Sequence, residues 1–224
     1  MRKLIITKFK TILKEVIDMD EQRIVERTRQ VLVSIGFPDP ADCNKNDDNG
    51  LRMYAQDSFK KIPRLKACLS HASKFAEDKL LWTARAEEGR PEFIITNEED
   101  NVAIVIECKK DESLQISDVL KSKNILQKNS NVISKYAADG ALHYAWFLSH
   151  RYDVIAIGIS GKIDMDDAKG TDIVADTYFW QYRKEHLESE PGPFIKINLK
   201  ELLSYEQYKD IIRQIKENRM EETA

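Results

Sequence analysis

The 224-residue chain has only three cysteines, Cys43, Cys68 and Cys108, and no two stand at CxxC spacing. Such an odd, dispersed set disfavours a disulfide framework or a zinc ribbon and makes a reducing cytoplasm the expected setting. Long apolar runs are missing too. The longest, such as Val102–Ile106, fall far short of the roughly 20 residues that a membrane helix needs. Near the start, Lys8 and Lys10 interrupt Leu4-Ile5-Ile6, so no signal-peptide core is expected. Neither charge sign dominates: 35 Lys and Arg stand against 38 Asp and Glu, for a net charge of −3. Bulk charge therefore cannot hold nucleic acid, and any such binding must use local patches or another part of a larger assembly. The four histidines lack HExxH spacing and the serines lack a GxSxG elbow. There is no phosphate-binding glycine loop, Walker motif or methyltransferase motif.

What is present is a hydrophobic fraction of 42% beside a charged fraction of 33%, enough for a soluble protein with a real core. The first ninety residues read as helical. Ile5, Phe9, Ile12, Leu13 and Val16 follow the 3.6-residue period. Asp20 can cap a second helix carrying Ile24, Val31, Leu32 and Ile35, which Gly36-Phe37-Pro38 ends. Residues 39–50 are turn-rich and form the best linker, and a further helix is expected from Pro63 to Ala86. The period then shortens. Phe93–Thr96 reads as a strand, 97–101 as a turn, and the β-branched run Val102–Ile106 as a strand buried on both faces. A helix over 132–148, a central strand over Val154–Ile159, a charged loop over 161–172, an edge strand over Phe194–Ile197 and a closing helix over 199–215 complete the pattern. Trp146, Phe147, Tyr178, Phe179 and Trp180 are expected in the core or an interface. The order implies an α/β fold: a mixed β-sheet flanked by helices, with an N-terminal helical extension. The expected divisions are a helical region at 1–60, a core at 61–200 and a C-terminal helix at 201–224.

The chemistry concentrates at Glu107-Cys108-Lys109, at the end of the buried strand. Side chains alternate along a strand, so Glu107 and Lys109 share a face and Cys108 takes the other. A carboxylate and a lysine brought together there are costly unless they pair or bind something. If the turn is centred between Glu99 and Asp100, antiparallel pairing sets Glu92 opposite Glu107, with Cβ atoms roughly 5 Å apart. A hard divalent cation relieves that repulsion, and oxygen ligands without His or Cys side chains favour Mg²⁺ over Zn²⁺. The acid-x-Lys string also occurs at Glu77-Asp78-Lys79 and Asp167-Ala168-Lys169. Only the third copy follows a Pro-acid pair, a turn and a buried strand.

These residues, Arg90-Pro91-Glu92-Phe93-Ile94-Ile95 followed by Val105-Ile106-Glu107-Cys108-Lys109-Lys110, resemble the PD-(D/E)xK nuclease superfamily. More narrowly, they are similar to the N-terminal nuclease region of type I-like and fused restriction–modification enzymes. Lys135–Ala145 resembles the helix that carries the QxxxY motif there, and Val154–Gly161 resembles the strand that follows. The resemblance covers about residues 74–162. Two positions depart from it: Glu92 stands where the family has Asp, and Gly140 where it has the Gln of QxxxY, so only Tyr144 of that pair matches.

The resemblance implies a restriction-endonuclease-like core and a Mg²⁺-dependent endonuclease, with Mn²⁺ as a substitute, that cuts DNA within a restriction–modification or defence system. Glu92 and Glu107 would hold the metal with the Cys108 carbonyl. Lys109 would orient or deprotonate the attacking water, Glu77 would be an accessory acid or else an exposed helix carboxylate beside Lys79, and Tyr144 would contact DNA or position Lys109, although a helical aromatic is more often core. Lys60, Lys61, Arg64, Lys66 and Lys74 form one acid-free basic block. Lys121, Lys123, Lys128 and Lys135 form another, which with Lys110 is the expected DNA-facing set. Expected partners are DNA and methyltransferase or translocase domains. A homodimer follows if both DNA strands are cut, and no membrane association is expected. The alternative is a nuclease-like module that binds DNA or assembles with such partners without cutting. The plainest reading makes Glu107 and Lys109 a structural ion pair.

Overall fold

The computed structural model describes residues 21–42, 50–70, 72, 89–97, 99–162, 172–182 and 193–222. At its centre is a hairpin of β2 (Phe93–Asn97) and β3 (Val102–Lys109). Phe93 lies opposite Ile106 and Ile94 opposite Val105, the register expected from the turn. Both strands are almost wholly buried, as continuous β-branched runs require when a sheet is covered on both sides. β4 (Asp153–Lys162) pairs parallel to β3, setting Glu107 beside Gly158 and Lys109 beside Ser160. β5 (Asp172–Trp180) and β6 (Ile195–Ile197) add antiparallel at one edge, and β1 (Leu51–Ala55) adds antiparallel to β2 at the other. The sheet is therefore mixed, six-stranded and ordered β1-β2-β3-β4-β5-β6.

Helices cover both faces. On one side lie α2 (Pro63–Leu69), α3 (Asp118–Lys123), α4 (Ser130–Lys135) and α5 (Ala137–Leu148). They enclose Tyr54, Ile94, Ala103, Val105, Val154 and Ala156. On the other lie α1 (residues 21–34) and α6 (Tyr205–Glu222), packed on Met53, Ile95, Ile104, Ile106, Ile157 and Phe179. α1 turns Ile24, Thr28 and Leu32, one every four residues, into that core. Gly36, at φ +100°, ends it: its N–H reaches the Val33 carbonyl at 3.1 Å, and the Phe37 N–H reaches Leu32 at 3.0 Å.

Several boundaries differ from the sequence reading. Residues 51–55, assigned to the helical region 1–60, are strand β1 of the central sheet. Leu51-Arg52-Met53-Tyr54-Ala55 holds no β-branched residue, and pairing with β2 overrides its helical propensity. Strand β5 was not anticipated at all, because Asp172, Ala175 and Asp176 interrupt its apolar pattern. The expected helix over 132–148 breaks at Tyr136, whose extended backbone separates α4 from α5. The closing helix begins at Tyr205 rather than Leu199. The expected helix over 4–17, Cys43, most of the linker, and 73–88 with Lys74 and Glu77 lie outside the described residues.

Candidate active site

Antiparallel β2 and parallel β4 bring the start of β2 and the ends of β3 and β4 to one edge of the sheet. Glu92 immediately precedes Phe93, so the hairpin register carried one residue further sets it opposite Glu107. Two backbone ties fix this approach. The Gln56 N–H donates to the Glu92 carbonyl at 3.1 Å, and the Arg90 N–H donates to Tyr144 Oη at 3.2 Å. Glu92 is half-buried, whereas Glu107 is only 1% exposed.

Lys109 Nζ lies 3.2 Å from Glu107 Oε1 and 2.8 Å from Glu21 Oε1 at the start of α1. Burial opposes a charge on Lys109, but Glu107 and Glu21 outweigh it and hold the ammonium well above its ordinary range. Cys108 faces the opposite core, where its Sγ lies 3.7 Å from Thr28 Oγ1. Burial, reinforced by Glu92, pushes that thiol well above its ordinary range.

The α5 side of the site is closely packed. A Cβ on Gly158 would meet the Ala138 nitrogen at 2.3 Å, so the absence of a side chain there lets the first turn of α5 rest on the sheet. A Cβ on Gly140 would meet Glu107 Cγ at 3.1 Å and the Ile133 carbonyl at 2.9 Å. The position matching the family's Gln thus sits directly against the Glu107 side chain. Gln115 Nε2 donates to the Gly158 carbonyl at 2.8 Å and to Asp176 Oδ2 at 3.1 Å. Buried Asp139 accepts from the Ser117 N–H at 3.0 Å and from its hydroxyl at 2.7 Å, tying α5 to the cap of α3. Burial raises the Asp139 carboxyl above its usual range despite those bonds.

The structure pairs Lys109 with Glu107, and the hairpin register carried one residue on places Glu92 opposite Glu107 on the neighbouring strand, while Glu77 lies outside the described residues. Tyr144 needs correcting as a DNA contact. It is 1% exposed, and its hydroxyl supports the backbone ahead of Glu92 instead. Burial pushes its phenol far above the ordinary range. Lys121, Lys123, Lys128 and Lys135 are exposed and Lys110 is half-buried. Lys128 lies over the Trp146 ring at 5.2 Å and Lys135 over Tyr136 at 4.9 Å. Trp146 is six residues, about 9 Å, along α5 from the Gly140 that touches Glu107. Of the first basic block, Arg64 is committed elsewhere: it bonds Asn101 at 2.8 Å and lies over the Tyr152 ring at 4.1 Å.

Sequence reasoning missed Glu21, 88 positions from its partner Lys109, and the Gln115–Asp176 and Ser117–Asp139 pairs. No local spacing marks any of them. Among the described residues, no three or more His, Cys, Asp or Glu side chains are grouped to hold a metal ion. Comparison with protein-family models, curated proteins and solved structures finds no match for this chain. Among the described residues no helix is long and apolar enough to cross a membrane.

Proposed function

We propose that the protein is a Mg²⁺-dependent endonuclease that hydrolyses DNA phosphodiester bonds within a restriction–modification or defence system. The observation that supports this best is the meeting of Lys109 with buried Glu107 at 3.2 Å, beside Glu92 across the hairpin. This is the constellation that the resemblance to PD-(D/E)xK nucleases requires. The donor set suits the metal. Mg²⁺ is held through one or two carboxylates together with water and substrate phosphate, and it needs no all-protein cage. Glu92 and Glu107 would hold it with the Cys108 carbonyl. When bound there, the cation would supply a water of lowered pKa and charge to offset the developing oxyanion. Glu107 anchors Lys109, and Lys109 donates N–H groups that orient the attacking water and offset phosphate charge. Tyr144 fixes Glu92 through the Arg90 backbone. DNA is the substrate, Mn²⁺ is a substitute metal, and methyltransferase or translocase domains are the expected partners. A homodimer would supply the second site for double-strand cutting.

Glu107→Gln and Lys109→Ala should each lower Mg²⁺- or Mn²⁺-dependent DNA cleavage by about 100-fold or more. Unchanged cleavage in both variants removes the assignment. A second reading, a nuclease-like module that assembles on DNA without cutting, is favoured by Gly140 where the resemblance calls for Gln and by Glu92 in place of Asp. The extra methylene of Glu92 moves its carboxylate by about 1.5 Å. Calorimetric titration with Mn²⁺ separates the two. Saturable binding lost in Glu92→Ala supports the enzyme, and no binding supports the module.

A further inference from the structure

We infer that Arg90 and Lys60, converging on Asp57 beside Glu92, form a clamp for a backbone phosphate of the nucleic-acid strand next to the scissile one. This rests on the phosphodiesterase reading for the path of the strand. Lys60 Nζ lies 3.0 Å and Arg90 Nε 3.3 Å from the same oxygen, Asp57 Oδ1. Two cations on one carboxylate oxygen reproduce the arrangement that a phosphate oxygen takes. The guanidinium turns Nε to Asp57, and its fork carries further N–H groups suited to phosphate.

The placement of the clamp is built. Gln56 is a non-glycine residue at φ +43°, and it turns the chain from β1 into the short 3-10 helix that bears Asp57 and Lys60. Its N–H holds the Glu92 carbonyl, and Tyr144 holds the Arg90 N–H. Backbone position is thus secured without the Arg90 guanidinium, whose side chain is 66% exposed beside an Asp57 that is 52% exposed. An ion pair that exposed adds little to stability, so Arg90→Ala should leave the fold intact. Because Arg90 precedes Pro91, its backbone is held extended, and two residues separate it from Glu92 by about 6 Å. That is the scale of the step between neighbouring phosphates on a strand.

The test is binding of a fluorescein-labelled DNA duplex by the full chain in EDTA, followed by anisotropy across a range of salt. Arg90→Ala should weaken binding about fivefold or more and lower the slope of log Kd against log salt by about 0.9, one phosphate contact. Arg90→Lys should keep the slope. Asp57→Asn removes the competing anion and should tighten binding, a change of opposite sign that a merely structural role does not give. An unaltered slope in Arg90→Ala, or weaker binding in Asp57→Asn, overturns the clamp while leaving the nuclease reading standing. Absence of binding by the unaltered chain at low salt also overturns the clamp, while the nuclease reading is judged by the Mg²⁺- or Mn²⁺-dependent cleavage assay.

Discussion

Lys109 is shared between Glu107, two residues before it, and Glu21, at the start of a helix packed against the sheet. Half of that arrangement could be read in advance. Alternation along a strand makes Glu107 and Lys109 neighbours whatever the rest of the chain does. Glu21 could not be read, since its approach depends on how α1 docks. The pair is costly to break. Lys109→Met should lower stability by about 3–5 kcal/mol at neutral pH, because it strands a buried carboxylate. Glu21→Gln should cost about 1 kcal/mol or less, its side chain being partly exposed. Urea unfolding measures both. The pH dependence follows from the raised ammonium. A group charged more readily in the folded state contributes fully below its unfolded pKa, about 10.4, and loses that contribution as pH rises through its folded value. The stability gap between the unaltered chain and Lys109→Met should therefore close in strong alkali, where Lys109 itself loses its proton, and narrow again in acid, where the stranded Glu107 of the variant takes one up. A gap independent of pH across that whole range would contradict the assignment.

At the scale of elements, the β2–β3 hairpin was the most legible part. Two apolar β-branched runs around a polar turn leave few alternatives, and a one-residue slip would turn Glu107 away from its partner. Strand β1 was not legible because it holds no β-branched residue and becomes a strand by pairing with β2, whereas β5 carries strand formers such as Ile173, Val174, Thr177 and Tyr178 whose pattern Asp172 and Asp176 interrupt. The α4–α5 break was equally hidden. Tyr136 separates the helices so that α5 can begin on Gly158, where the Ala138 N–H also meets the Gln115 carbonyl at 2.9 Å. Gly158→Ala places a methyl group against that backbone and should destabilise the protein by more than about 3 kcal/mol in thermal or urea unfolding. A near-neutral result would mean that α5 has room to move off the sheet.

Across the whole molecule, the regions expected to lie outside the core are part of it. α1 and α6 together cover one face of the sheet, with Ile24, Leu32, Tyr205, Tyr208 and Ile212 nearly inaccessible. At the sheet edge opposite the site, Asp153 accepts from the Tyr182 N–H at 2.8 Å and is ion-paired with Lys216 of α6. A chain ended after Ser204 loses three buried side chains of α6 and uncovers the apolar residues beneath them. At roughly 1.5–3 kcal/mol for each, the loss exceeds about 5 kcal/mol, enough to abolish cooperative unfolding. A cooperative melt retained by the shortened chain would show α6 to be dispensable.

Sequence alone determined the α/β class, the central hairpin with its register, and the side that Glu107 and Lys109 share, because those follow from period and turn chemistry acting over a few residues. Tertiary structure alone decided that β1 is a strand, that Tyr144 Oη holds the backbone ahead of Glu92, that Gly140 lies against Glu107, and that Glu21 and Asp57 reach Lys109 and Arg90. Those contacts join residues far apart in the chain, and only the packing of helices on the sheet brings them together.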